Sequence, residues 1–154
     1  MCSLNTGWLL LRSLETLKIR MEQQAINALK VAEFLMTHPK VKKVYYLGNF
    51  NENSKSYSIY KNQYSSPGAM RSFDIIGAEY EAFTVLNHLK LIKLAVSLGS
   101  TESLSEQPAS MTHAGSPTEN RNKMGITDRL IRLSIGVENY NDIIWDIKHV
   151  LKMV

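Results

Sequence analysis

From Trp8 to Thr37 apolar residues recur every three or four positions, with Leu14, Leu17, Met21, Ala25, Ala28, Ala32 and Leu35 on one stripe and Arg, Glu, Gln and Lys on the other. That period predicts one long helix. His38-Pro39 ends it, because a residue before proline avoids the helical region and proline cannot extend the hydrogen-bond ladder. A short strand is expected from Val41 to Leu47. Gly48 to Gly68 has no dominant period and is rich in Ser, Asn and Tyr, which predicts a surface excursion with a helical turn at Tyr57 to Asn62. Ala69 to Ile76 alternates as a strand, with Met70, Ser72, Asp74 and Ile76 on one face and Arg71, Phe73 and Ile75 on the other.

Helical spacing returns from Gly77 to Leu89, and Leu91 to Val96 is apolar enough for a packed strand. Ser97 then opens a long polar stretch that ends at a second apolar strand, Leu130 to Ile135. Within it Ser116-Pro-Thr-Glu119 marks a short helix start, with proline near the first turn. Gly136 breaks the strand, and Tyr140 or Asn141 opens a last helix through Ile143, Ile144, Ile147, Val150 and Leu151. The order helix, strand, strand, helix, strand, strand, helix predicts an α+β layer, helices packed on a small sheet in one domain spanning 1–154. A long polar loop tied at both ends to buried strands is a place where function collects.

Composition narrows what that loop can do. With 44% apolar and 21% charged residues the chain is an ordinary globular one rather than a disordered one. The single cysteine, Cys2, excludes an internal disulfide framework, and four scattered histidines give no metal-ligand spacing. No apolar run approaches the roughly 20 residues that span a bilayer, so no membrane partner is expected and the cytoplasm is the simplest compartment. The formal charge of +4 raises nucleic acid as a partner, but Lys40, Lys42 and Lys43 form only a turn cluster without a nucleic-acid motif, which points to a solvated surface instead.

Arg132 is the chemically distinctive residue, lying inside the apolar strand on the same face as Leu130 and Ser134. A guanidinium drawn in from water needs an anion, and arginine grips a carboxylate through paired hydrogen bonds. Two readings stay open: a structural pair with Glu102, Glu106 or Asp128, or a binding site for an external carboxylate. Ser97, followed by Leu98-Gly99, offers a hydroxyl and a backbone N–H to the same anion, or else caps the strand end. Thr112-His113 lacks a nucleophile or an orienting carboxylate in sequence, so a loop-fixing hydrogen bond is its simpler reading.

Several stretches together resemble one family. They are Ala95-Val-Ser-Leu-Gly99, Glu102-Ser-Leu104, Pro108-Ala-Ser-Met-Thr-His113 and Gly125-Ile-Thr-Asp-Arg-Leu-Ile-Arg-Leu-Ser-Ile-Gly136 followed by Glu138, with Trp8 to Leu17, Arg20-Met21 and Val44-Tyr-Tyr46 upstream. The chain resembles the C-terminal region of the Cys/Met-metabolism enzymes that depend on pyridoxal phosphate. The resemblance implies a C-terminal domain of the aspartate-aminotransferase-like type, which binds the amino-acid substrate beside a cofactor held mainly by the preceding domain. By the same resemblance Arg132 matches the arginine on the substrate α-carboxylate, Ser97 the serine beside it, and Thr112 a threonine lining the site. Val96 occupies a position that is apolar in methionine gamma-lyases and often glutamate in cystathionine-processing relatives.

Departures from the family pattern shape the functional expectation. The Ser-x-Thr-Lys type segment with the Schiff-base lysine, the aspartate facing the pyridine nitrogen, the ring-stacking tyrosine and the glycine-rich phosphate site do not occur in these 154 residues. Ser100 and Ser13 are milder changes. The resemblance therefore implies a substrate-binding part of a carbon–sulfur lyase, truncated or split, that neither forms a stable internal aldimine nor catalyses alone. A separately encoded N-terminal half or a full-length family subunit would be its partner, family enzymes being homotetramers. A non-catalytic regulatory module is the second reading, and a basic nucleic-acid-interaction domain the third.

Overall fold

A computed structural model describes residues 2–154. Among the described residues six helices and a five-stranded sheet make an arrangement of the α+β class that the periodicity predicts. The elements are α1 (Leu4–Leu14), α2 (Leu17–Thr37), β1 (Val41–Tyr45), α3 (Lys55–Gln63), β2 (Met70–Ile75), α4 (Glu79–His88), β3 (Lys93–Leu94), β4 (Leu104–Glu106), α5 (Thr118–Lys123), β5 (Leu130–Ser134) and α6 (Tyr140–Val150), with a 3-10 turn at Leu47–Asn49. The sheet order is β1-β2-β5-β4-β3, antiparallel except for the parallel β3–β4 pair. Helices α2 and α6 pack together, with α2 also on β1 and β2 and α4 on α6. Ala28, Val31 and Leu35 from α2 meet Phe73, Ile75, Ile131, Leu133, Ile143 and Ile147 in the core.

The long N-terminal helix is two helices. Thr16 turns to φ −103°, ψ 1°, and the Ser13 carbonyl freed near this step accepts instead from Arg20 Nη2 at 2.9 Å, while Arg20 Nε donates to Thr16 Oγ1 at 3.2 Å. A side-chain bond of that kind leaves no trace in hydrophobic spacing. The expected stripe is also half right: α2 buries Gln24, Asn27, Ala28, Val31, Ala32 and Leu35, whereas Leu14, Leu17 and Met21 are exposed and α1 buries nothing. Gln24 and Asn27 go inside because their amides hold loops, Gln24 Nε2 on the Ser100 carbonyl at 2.6 Å and Asn27 Nδ2 on the Gly136 and Glu138 carbonyls at 3.0 and 2.6 Å. Buried polar groups are tolerated when so paired.

The strand expected from Leu91 to Val96 contracts to Lys93–Leu94. Asp146, buried on α6, takes the backbone N–H groups of Lys90, Leu91 and Ile92 on its carboxylate at 2.9–3.2 Å, so Leu91 and Ile92 have no donor left for a ladder. Inside the polar stretch the chain makes a strand that periodicity misses, β4, whose Leu104, Ser105 and Glu106 are all buried between β3 and β5. Three residues cannot display an alternation.

A carboxylate, an arginine and two carbonyls

Register brings the site together. Arg132 on β5 lies opposite Ser72 on β2 and opposite Glu106 on β4, so the three share one face of the sheet. Arg132 Nη1 is 2.6 Å from Glu106 Oε1, with the arginine side chain 20% exposed and the glutamate fully enclosed. Its Nη2 donates to the carbonyls of Val96 at 3.0 Å and Ser97 at 3.3 Å. Of the three acidic partners open to Arg132 in sequence, Glu106 is the one it meets; Asp128 pairs with Arg121 at 3.2 Å and Glu102 is exposed. The short parallel ladder through Lys93, Leu94 and Ala95 delivers the Val96-Ser97 carbonyls to the guanidinium.

The loop after β4 folds back on the same group. His113 N–H donates to the Pro108 carbonyl at 2.8 Å and Ser110 N–H to Gln107 Oε1 at 2.7 Å, which turns Thr112 round so that its Oγ1 donates to Glu106 Oε1 at 3.3 Å. Thr112 Oγ1 also lies 2.9 Å from His113 Nδ1, the loop-fixing contact expected for that pair. Glu106 was legible only as a possible counter-ion, although it joins Arg132 to Thr112. The sequence signal for it is acidic character alone, which Glu102 and Asp128 carry as well.

Arg132 forms part of the wall of a cavity of about 540 Å³, with Lys43, Tyr45, Leu47, Phe50 and Ser72. That size and the mixture of apolar wall and few polar groups suit a small ligand. Ser97, Val96 and Thr112 are not on this wall; Ser97 and Val96 reach Arg132 through their carbonyls, and their side chains are exposed. The Gly99 N–H considered as an anion donor is committed to Ser134 Oγ at 3.1 Å. Outside the cavity wall, Asp74 accepts from Tyr45 Oη at 3.0 Å and from Thr127 Oγ1 at 2.6 Å. Burial, together with the bond to Asp74, pushes the Tyr45 phenol up from its ordinary value.

Among the described residues no cluster of three or more His, Cys, Asp or Glu could hold a metal ion, and no helix is long and apolar enough to cross a membrane. All twelve lysines are exposed. An amine that captures an aldehyde cofactor works from a desolvated or cationic setting, so the lysines present do not fit that role.

The profile of the Cys/Met metabolism PLP-dependent enzymes matches residues 1–152. The chain is 47% identical over 148 residues to an L-methionine gamma-lyase of Fusobacterium nucleatum subsp. polymorphum, covering 96% of this chain and 37% of that protein. It is 45% identical to a cystathionine gamma-lyase of Bacillus subtilis, again over 96% of this chain and 38% of the relative. The crystal structure of a Lactobacillus plantarum cystathionine gamma-lyase complexed with L-serine superposes with TM-score 0.87 at 42% identity, covering 96% of this chain and 38% of that one. A Campylobacter jejuni O-acetylhomoserine (thiol)-lyase structure that carries a pyridoxyl-lysine monophosphate superposes with TM-score 0.88 at 37% identity, over 96% of this chain and 35% of that one. The chain thus spans a little over a third of the length of the curated relatives it matches. With matching sequence and matching fold, the chain belongs to the Cys/Met-metabolism family of pyridoxal-phosphate-dependent enzymes.

Proposed function

We propose that this chain is the C-terminal, substrate-carboxylate-binding part of a carbon–sulfur lyase of the methionine gamma-lyase kind, with Arg132 as the seat of the amino-acid carboxylate. The observation that carries the reading is a half-buried guanidinium held rigidly by Glu106, Val96 and Ser97 on the wall of a ligand-sized cavity. Ser97 and Val96 place it through their backbone, and Thr112 steadies it through Glu106. Pyridoxal phosphate, when bound to enzymes of this family, supplies the electron sink. In this chain the exposed lysines leave orientation of a sulfur amino acid as the contribution, and the covalent chemistry to a separately encoded N-terminal half or a full-length family subunit.

A charge-assisted contact contributes about 1.5–3 kcal/mol, which supports weak capture only. Titration calorimetry of L-methionine into the chain and into Arg132→Met tests this: weak saturable binding that the substitution removes is expected, and binding that survives it sinks the carboxylate assignment. Adding pyridoxal phosphate and methionine to the chain alone should release no thiol; stoichiometric borohydride-trapped lysine with turnover would overturn the division of labour. A non-catalytic module that pairs with a complete family subunit is the second reading. It is favoured by α1, where Leu4, Trp8, Leu9, Leu10, Leu11 and Leu14 are all exposed, an apolar strip of the kind that marks an interaction surface. Copurification with a tagged family subunit, lost on Leu10→Glu with Leu11→Glu, is its test.

A further inference from the structure

The carboxylate reading leaves one buried oxygen unused. Glu106 Oε1 meets Arg132 and Thr112, but Oε2 is enclosed without a hydrogen-bond donor. Its charge is therefore neutralised by Arg132 almost alone, in an interior where charges are felt more strongly than in water. The guanidinium is correspondingly crowded with oxygen: a carboxylate on Nη1 and two carbonyls on Nη2. Among the described residues Nε–H donates to no protein acceptor and Nη1 meets Glu106 as an ion pair, so Nε–H remains for an incoming anion.

Arg132 and Glu106 together carry no net charge. An approaching carboxylate meets the guanidinium and Glu106 at once, and any ligand that draws the guanidinium toward itself strips a fully enclosed carboxylate of its ionic partner. We propose that Glu106 is a specificity-determining residue of this site, a built-in counter-ion whose charge holds down the affinity of Arg132 for carboxylates. The proposal rests on Arg132 being the carboxylate seat, and it deepens that reading by assigning Glu106 a role opposite to simple support. A residue that only positioned Arg132 would strengthen binding; this one weakens it while keeping the arginine in place.

Paired titrations of L-methionine and L-methioninamide, which lacks the carboxylate, separate the two ideas. In the unsubstituted chain methionine should bind less than about tenfold more tightly than the amide, since the attraction is already neutralised. Glu106→Gln keeps an acceptor for Arg132 and Thr112 without the charge, and it should tighten methionine about tenfold while leaving the amide unchanged. A merely structural role would shift both ligands together. Glu106→Met, neutral and of similar length, is the second variant and should move methionine the same way. If the unsubstituted chain already prefers methionine by about a hundredfold or more, or if neither neutral variant tightens it, the counter-ion role is overturned while the carboxylate seat stands. If Arg132→Met leaves methionine binding intact, the seat itself is wrong.

Discussion

Arg132 and Arg71 stand on neighbouring strands of one sheet, and only one of them has an anion. Arg132 faces Ser72 across β2–β5 and closes on Glu106; Arg71, one residue before Ser72 and opposite Leu133, belongs by alternation to the other face and is buried beside Tyr46. Arg71 is 2% exposed and none of its three side-chain nitrogens has a hydrogen-bond partner. Its companion is the Tyr46 ring, whose centroid lies 4.5 Å from Arg71 Cζ. The difference teaches that burial alone does not make a functional arginine. Both border the same cavity, but Arg132 is held there by a carboxylate and two carbonyls, whereas Arg71 is a charge that the fold carries at a cost.

The largest effect expected from breaking this contrast is on the paired side. Arg132→Met leaves Glu106 enclosed and unpaired, and loss of one partner from a buried ion pair costs about 3 kcal/mol. Urea unfolding of the two proteins measures it; a loss under about 1 kcal/mol would show that solvent reaches Glu106 after the change. The unpaired side should respond with the opposite sign. Arg71→Met removes a desolvated charge while keeping an unbranched chain in the same space, and should raise stability by roughly 1–2 kcal/mol. A destabilised Arg71→Met would mean that the guanidinium has an anionic or water partner in solution.

How far this contrast can be read in the chain follows from strand alternation. Alternation correctly puts Arg132 with Leu130 and Ser134, and Arg71 with Phe73 and Ile75, because both strands are long enough to show a period of two. It does not reveal that the Arg71 face is the fully packed one, since a charged residue there argues against it. The partner of Arg132 stays one of three, because β4 has three residues and its pairing with both β3 and β5 is a long-range fact. The N-terminal stripe misleads for a related reason. Leu14, Leu17 and Met21 have the right spacing, but α1 buries none of its residues and Leu17 and Met21 stay exposed on α2. Spacing predicts a face, and tertiary contact decides whether it is covered.

A smaller effect sharpens what holds Arg71 where it is. If the Tyr46 face contributes a cation–π attraction, Tyr46→Leu should cost about 1 kcal/mol more in the parent than in the Arg71→Met background. The double-mutant cycle removes the shared loss of aromatic packing, since Tyr46 is itself buried and its hydroxyl has no partner. A coupling near zero would assign Arg71 to burial without compensation.

The last and smallest effect appears only in alkali. Burial lowers the Arg71 guanidinium to about 10, and the nearby Tyr46 offsets only part of that fall. Because the folded value lies below the unfolded one, between about 10 and the ordinary guanidinium range the unfolded chain binds the extra proton. Stability contributed through this group therefore rises with pH across that window, as the folded state sheds a charge that it holds unfavourably; below it the penalty is fully present. Tyr45 and Tyr46 work the other way, since burial raises both phenols and the stability tied to their protonated forms is lost as pH climbs. The Tyr45 loss occurs in parent and variant alike, so it cancels from the difference between the two. Removing its charge also removes what restrains the rise of Tyr46, which acts in the same direction. The advantage of Arg71→Met over the parent should accordingly be constant from neutral pH to about 9 and shrink by pH 11. Paired urea unfolding at those pH values measures it, and an advantage that stays level or grows would show that Arg71 keeps its proton throughout.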